Sequence, residues 1–289
     1  MTADIKDLLK KHGFRFSKAL GQNFLIDGNI TKKIVESSGV DESCGVLEVG
    51  PGAGALTREL SSAAGRVTAV ELDRRLLPVL EDTLKGRENV EVVHGDVLKI
   101  DIKKLVYEKM PGLKHQVCAN LPYNITTPAI AAFVNSGVFI SITVMVQKEV
   151  ALRICAEPGS PEYGAFSVFV NYHMEPKILF DVPPECFFPR PGVCSSVITM
   201  KSRPDKTLDP DGVKVFFSVV RAAFAQRRKT LVNALYSAFG NAMSKEDIAD
   251  IVTNCGFDAR IRGETLGIED FFQISAKFLS FRYKSDAIQ

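Results

Sequence analysis

The chain has 289 residues, enough for about two domains at roughly 150 residues each, and its 46% hydrophobic and 24% charged residues suit a globular protein with a real core. No apolar run approaches the roughly 20 residues of a membrane-spanning helix, and Met1–Lys11 is polar with early acids at Asp4 and Asp7, unlike a signal or transit peptide, so a cytoplasmic protein is expected. The net charge is only +2 but uneven: residues 1–40 and 200–289 each carry +3, around a middle of −4, a distribution that suits a polyanion gripped from two sides and equally an ordinary solvated surface.

Short apolar runs alternate with helix-like segments up to about residue 200. Gly45–Gly50 reads as a buried strand ending in a glycine loop, and Thr57–Ala64 as the helix after it. Val67–Glu71 is the next strand, with Asp73 capping the helix that follows. Val90–His94 and Val117–Asn120 are the third and fourth strands, Pro128–Asn135 is a helix, and Ile140–Gln147 is a long β-branched strand. Ser167–His173 and Val197–Lys201 are expected to close the set as a hairpin across the proline-rich segment Val182–Pro191. The alternation predicts an α/β fold with a mostly parallel, Rossmann-like sheet. Turn residues Arg203–Gly212 read as a linker. Beyond it only helical periodicity occurs, over Val213–Phe224, Lys229–Phe239, a helix capped by Ser244, and Ile268–Phe281. Two domains are therefore expected, at 1–202 and 203–289, the second small and all-α.

Six motifs carry chemistry. Glu48–Gly54 follows a strand, and its glycines are spaced G-x-G-x-G at Gly50, Gly52 and Gly54, not G-x-G-x-x-G. That spacing points away from a dinucleotide and towards a nucleoside without phosphates, with a plain tight turn as the alternative. Glu71 ends the second strand, where a carboxylate would accept hydrogen bonds from two ribose hydroxyls. Asp96 ends the third, where it would accept from an adenine amino group; either acid also suits a helix cap. Asn120-Leu121-Pro122-Tyr123 ends the fourth. The Asn120 side-chain oxygen and the Leu121 carbonyl would accept the two N–H groups of an adenine N6 amine and aim its lone pair at a methyl donor. Pro122 would stiffen the turn, and Tyr123 would offer a face for the base. A proline turn with a packed tyrosine is the alternative. Phe187, in the rigid Phe187–Val193 loop, would form the opposite wall of a base slot, unless it or Phe188 simply packs. Arg221, Arg227, Arg228 and Lys229 put four cations in nine residues without an acid, suited to phosphate or to a solvated helix end.

The six cysteines form no C-x-x-C pair and the four histidines lack ligand spacing, so reduced thiols and no metal are expected.

Together these motifs resemble the ribosomal RNA adenine N6-dimethyltransferase family, and within it the bacterial small-subunit (16S) branch of the kasugamycin-sensitivity type. The resemblance rests on Gly21–Leu25, Glu48–Thr57, Glu71–Asp73, Asn120–Ile125, Gln147–Glu149, Phe187–Val193 and Gln226–Thr230. It implies a class I methyltransferase sheet and S-adenosylmethionine as cofactor. Asn23 and Leu25 would contact that cofactor, Gly50 its amino-acid end, Glu71 its ribose, Asp96 its adenine, and Asn120 both cofactor and target amine. It further implies two methyl groups on each of two adjacent adenosines near the 3′ end of the small-subunit RNA, an immature ribosomal subunit as partner, and a helical domain that helps dock it; separately, a monomer is expected. Relatives often carry Asp where this chain has Cys194. The macrolide-resistance methyltransferases of large-subunit (23S) RNA share the core motifs and are the alternative branch. A non-catalytic assembly factor or transcription factor on the same fold is disfavoured by the intact motifs, and a nicotinamide oxidoreductase by the glycine spacing.

Overall fold

The computed structural model describes residues 2–14, 16, 22–203 and 208–286. Gly21 of the Gly21–Leu25 motif and residues 204–207 of the expected linker lie outside them. The chain starts with helix α1 (Thr2–Lys11), a two-residue strand β1 (Phe24–Leu25) and helix α2 (Gly28–Ser38). There follow β2 (Cys44–Val49), α3 (Ala55–Ala63), β3 (Arg66–Glu71), α4 (Leu77–Thr83), β4 (Val90–His94), α5 (Ile102–Lys109), β5 (Lys114–Asn120), α6 (Thr126–Ser136), β6 (Ser141–Gln147) and α7 (Lys148–Ile154). Helix α8 (Ala165–His173) leads into β7 (Met174–Val182), β8 (Phe187–Phe188) and β9 (Ser195–Ser202). Four helices end the chain: α9 (Pro210–Ala225), α10 (Leu231–Phe239), α11 (Lys245–Asn254) and α12 (Ile268–Asp286).

Seven strands form one sheet in the order β4-β3-β2-β5-β6-β9-β7. β4 through β6 are parallel, and β9 and β7 add antiparallel at the far side. The chain runs outward from β2 through β3 to β4, then returns to place β5 on the other flank of β2. That reversal between β2 and β5 opens a crevice at the carboxyl ends of the strands, the usual ligand position in such sheets. Both faces of the central strands are covered. Val46, Leu47, Val67, Ala69, Val117, Cys118, Ile142 and Val144 have no exposed surface, as expected of parallel strands with helices on either side. A separate two-stranded pair joins β1 to β8, with Leu25 opposite Phe187 and Phe24 opposite Phe188.

The expected strand at Ser167–His173 is instead α8, and the hairpin strand is β7, immediately after it. The α8 segment is apolar on nearly every side, so periodicity does not separate helix from strand. β7 hides its identity differently: Glu175, Pro176, Lys177 and Asp181 interrupt its apolar run. A sheet edge tolerates such residues, proline included, and β7 is an edge strand with a bulge between Ile178 and Phe180.

The chain divides into two compact units, residues 1–151 with 174–202, and residues 152–173 with 203–289. The first is the sheet unit. The second is helical and takes in α8, so residues 152–173 group with it and not with the sheet, unlike the expected split at 202/203. Its core gathers Tyr163, Val168, Phe216, Val219, Leu235, Phe271 and Ile274. Tyr163 Oη donates to Leu266 O at 2.9 Å, tying the 152–173 segment into that core. Ser244 and Asp247 complete a reciprocal cap on α11, as the sequence suggested.

Candidate active site

The crevice is built by the loops after β2, β3, β4 and β5, with the β1 segment along one side. Its open space, solvent at the mouth included, is about 1140 Å³. The β2 loop makes its floor. Gly50 and Gly52 adopt φ of 68° and 59°, a left-handed conformation that side chains rarely take. Space is short as well. A Cβ on Gly50 would lie 3.2 Å from the Pro122 ring, and one on Gly52 2.9 Å from the Phe24 ring. The glycines therefore make a tight turn and also let the β5 loop and the β1 segment close on the crevice.

Glu71 lies at the end of β3, 5% exposed, with Oε1 accepting from Asp73 N at 2.7 Å. Burial raises its pKa to about 7, against hydrogen bonds from the backbone of Asp73 and Gly52 that pull it down. Asp73 caps the turn after β3 by accepting from Arg75 N, and its other oxygen accepts from Gln22 Nε2 at 2.8 Å. Hydrogen bonds from the Arg75 side chain hold the Asp73 carboxyl below the usual range. Asp96, half-buried after β4, accepts from Leu98 N at 3.0 Å and lies 3.6 Å from Lys99 Nζ. Leu72 and Leu98 stand exposed on the same wall at 51% and 41%. An apolar pair beside two carboxyls suits a flat base and a hydroxylated sugar better than a phosphate.

Asn120 ends β5 half-buried. Its Nδ2 donates to Asn23 O at 3.3 Å, which leaves the side-chain oxygen as the acceptor for another group. Leu121 is fully covered, and its N–H donates to Met145 O at 3.2 Å, continuing the β5–β6 ladder. Pro122, at φ −56° and ψ 131°, turns the chain into a single 3-10 turn, Tyr123–Ile125. Tyr123 Oη lies 2.7 Å from Ser195 Oγ, and burial holds its pKa above the ordinary phenol value.

One crevice thus brings together Asn23, Leu25, Gly50, Glu71, Asp96, Asn120, Leu121, Pro122 and Tyr123. Phe187 is not among them. It is 3% exposed and packed in a cluster with Leu25, Ile34, Val182 and Val197, so in this structure its ring faces the core and does not line the crevice as expected. Neighbouring residues on a strand face opposite ways; pairing with Leu25 turns Phe187 into the core and leaves Phe188 37% exposed, 5.3 Å from the Phe16 ring. Arg221, Arg227, Arg228 and Lys229 lie in the helical unit and all are exposed. Arg221 is on α9, and the other three are in the turn between α9 and α10, beyond the helix end. Arg227 donates to Pro161 O at 2.9 Å and meets Glu264 at 3.4 Å.

The sequence motif includes Glu48 without assigning it a role. It lines the crevice at 1% exposure, its Oε2 has no hydrogen-bond partner, and burial raises its pKa to about 8. A carboxyl inside the apolar run Gly45–Val49 was the available signal. All six cysteines are unpaired, and among the described residues no group of three or more His, Cys, Asp or Glu is placed to hold a metal ion.

Comparison with known proteins converges on the same chemistry. The family described as ribosomal RNA adenine dimethylase matches residues 13–273. A Clostridioides difficile protein named ribosomal RNA small subunit methyltransferase A is 44% identical over 271 residues, 93% of each chain. One of the same name from Shouchella clausii is 46% identical over 281 residues, 96% of this chain and 95% of its own. Among solved structures, a dimethyladenosine transferase from Plasmodium falciparum superposes with TM-score 0.73 at 24% identity, over 90% of this chain and 97% of that one. The 23S rRNA methyltransferase ErmE gives 0.71 at 24%, over 88% and 99%. At that identity the two structures establish the fold, a Rossmann-like class I methyltransferase sheet with a helical C-terminal region. The family itself follows from sequence, since the match spans nearly the whole chain: this protein belongs to the ribosomal RNA adenine dimethylases, methyltransferases that use S-adenosylmethionine.

Proposed function

We propose that this enzyme dimethylates N6 of two adjacent adenosines near the 3′ end of 16S rRNA, within an immature small ribosomal subunit. The observation that carries this reading is the continuity of the crevice, which joins the acids at the ends of β3 and β4 to the Asn120–Tyr123 lip. The small-subunit target is supported by relatives of that name at 44–46% identity. The site fits the cofactor on its own geometry: a glycine turn with little room for a Cβ, two acids, an apolar pair, and an unpartnered buried carboxyl oxygen.

Gly50 would lie against the cofactor's amino-acid end, Glu71 would accept from its ribose, and Asp96 from its adenine amine. Asn23 and Leu25 close the side. When bound, S-adenosylmethionine supplies an electrophilic methyl group. In the first transfer Asn120 and the Leu121 carbonyl accept the two N–H groups of the target amine and orient its lone pair; in the second the one remaining N–H engages one of them, and after each transfer the nitrogen sheds a proton to solvent. Alignment, more than strong base catalysis, is the protein's contribution. Tyr123 stacks on the unstacked base. The helical unit docks the particle, with Arg221, Arg227, Arg228 and Lys229 towards phosphates. The protein acts as a monomer in the cytoplasm; among the described residues no helix is long and apolar enough to cross a membrane.

The test is to incubate the enzyme and labelled S-adenosylmethionine with immature small subunits from cells lacking this activity, then map dimethyladenosine by mass spectrometry. Wild type should modify two adjacent adenosines in the small-subunit RNA. Asn120→Ala should lose about 100- to 1000-fold in rate, as when a positioned transition-state hydrogen bond is removed, with its unfolding midpoint retained. Label in large-subunit RNA instead, or full turnover by Asn120→Ala, would refute the reading.

A further inference from the structure

Stacking on a base needs only an aromatic ring, so the hydroxyl of Tyr123 requires its own reason. The turn that carries Tyr123 has no side-chain cap, and a short turn by itself does not select one ring orientation among the side-chain rotamers. The selecting contact is the 2.7 Å hydrogen bond between Tyr123 Oη and Ser195 Oγ.

Ser195 is well placed to serve as an anchor. It has no exposed surface and opens β9, paired with Gln147 of β6 on one side and Val182 of β7 on the other. The next residue braces the same spot: Ser196 Oγ donates to Asp181 Oδ1 at 2.7 Å, and Asp181 Oδ2 accepts from Lys148 Nζ at 2.6 Å. The Ser195 backbone is therefore held by strands on both sides, and the hydroxyl it carries is buried. It does not line the crevice, so its reach to a substrate runs through Tyr123.

We propose that Ser195 is a positioning residue for methyl transfer, its hydroxyl tethering the Tyr123 phenol and so fixing the plane on which the target base stacks. This rests on the reading of Tyr123 as the face for that base. The tether acts on the orientation of the base and not on the cofactor, which meets other walls of the crevice.

The experiment measures single-turnover methyl transfer to immature small subunits at saturating S-adenosylmethionine, for Tyr123→Phe, Ser195→Ala, their double variant and Tyr123→Ala. Cofactor affinity is followed by calorimetry. Loss of one hydrogen bond predicts that each hydroxyl deletion slows transfer by about three- to tenfold. The double variant should be no slower than the slower single, because both remove the same contact. Cofactor affinity should stay at the wild-type value. Tyr123→Phe leaves β9 untouched and carries the test if Ser195→Ala folds poorly. Full rate in Tyr123→Phe overturns the tether, as does a double variant that loses the product of the two single effects. A slow Tyr123→Phe beside a fully active Ser195→Ala overturns it too, since the hydroxyl would then serve some other partner. Tyr123→Ala separates the two levels. If it is slow while Tyr123→Phe is not, only the tether fails; if it too is fully active, Tyr123 is not the face for the base.

Discussion

Glu48 in the sheet unit and Phe216 in the helical unit are both almost wholly covered, at 1% and 0% exposure, yet their burial has opposite energetic signs. Phe216 lies among Tyr172, Phe217, Phe271 and Phe272, with ring centroids 4.9 to 6.5 Å apart. Its burial removes apolar surface from water and stabilises the fold. Glu48 leaves a carboxyl oxygen without a partner, which costs stability. The contrast extends beyond the pair. Glu48, Glu71 and Asp73 are buried around the crevice, whereas no acid is buried among the described residues of the helical unit. Acids are buried where the chemistry is, and folding stability is spent there; in the helical unit the described acids stay outside the core.

The largest expected effect tests the apolar side of this contrast. Phe216→Ala removes a large ring from a close-packed site and should destabilise the protein by about 3–5 kcal/mol. Urea unfolding should show the midpoint falling, while the protein still folded in low denaturant binds S-adenosylmethionine as wild type does. A loss under about 1 kcal/mol would mean that the cluster relaxes to fill the gap, and the contrast with the crevice would weaken.

The parts of the molecule set by local rules are legible in the sequence. The sequence bounds β4 to the residue, and β2, β3 and β6 to within one, because a continuous apolar run between turn signals leaves few alternatives. Gly50, Glu71, Asp96 and Asn120 can be picked out because each ends a strand, and strand ends in a reversing parallel sheet converge on one crevice. What stays hidden depends on partners distant in sequence. Whether Phe187 or Phe188 faces outward depends on register with Phe24 and Leu25, and a shift of one residue would exchange them. The Ser195 contact with Tyr123 spans 72 residues. The failure at α8 has a different cause: a segment covered on several sides has no polar stripe from which to read a helical period.

Glu48 provides the next test, from the costly side of the contrast. Burial raises its carboxyl to about 8 and that of Glu71 to about 7. Both lie above the value near 4.5 expected in the unfolded chain, so the folded state keeps protons that the unfolded state has released. Stability from these groups is therefore complete below about pH 4, declines as pH rises through about 7 and 8, and levels off beyond. The carboxyls lowered by cationic partners, Glu91 by Lys109 and Asp73 by Arg75, act at the acid end and leave this window clear. Glu48→Gln keeps the shape and removes one titration. It should gain stability over wild type at pH 8, on the order of a few kcal/mol, and none at pH 4. Parallel stability curves for the two proteins from pH 4 to 8 would show that Glu48 stays ionised in the fold, and its burial would need another explanation.

The smallest effects belong to the surface of the helical unit, where the contrast predicts changes in binding without changes in folding. Arg228 and Lys229 are exposed in the turn after α9, and no ion pair involves them among the described residues, whereas Arg227 meets Glu264. A cation on a phosphate releases counterions, so its removal flattens the dependence of affinity on salt. Arg228→Ala and Lys229→Ala should each weaken binding to small-subunit RNA and lower the slope of log K against log salt by about one unit. Arg227→Ala should lower it less, because that guanidinium is already partly neutralised by Glu264. The unfolding midpoint and cofactor affinity should not move in any of the three. Equal slopes for all variants would place these cations in water and not on phosphate, and the helical unit would then have to grip its particle by some other surface.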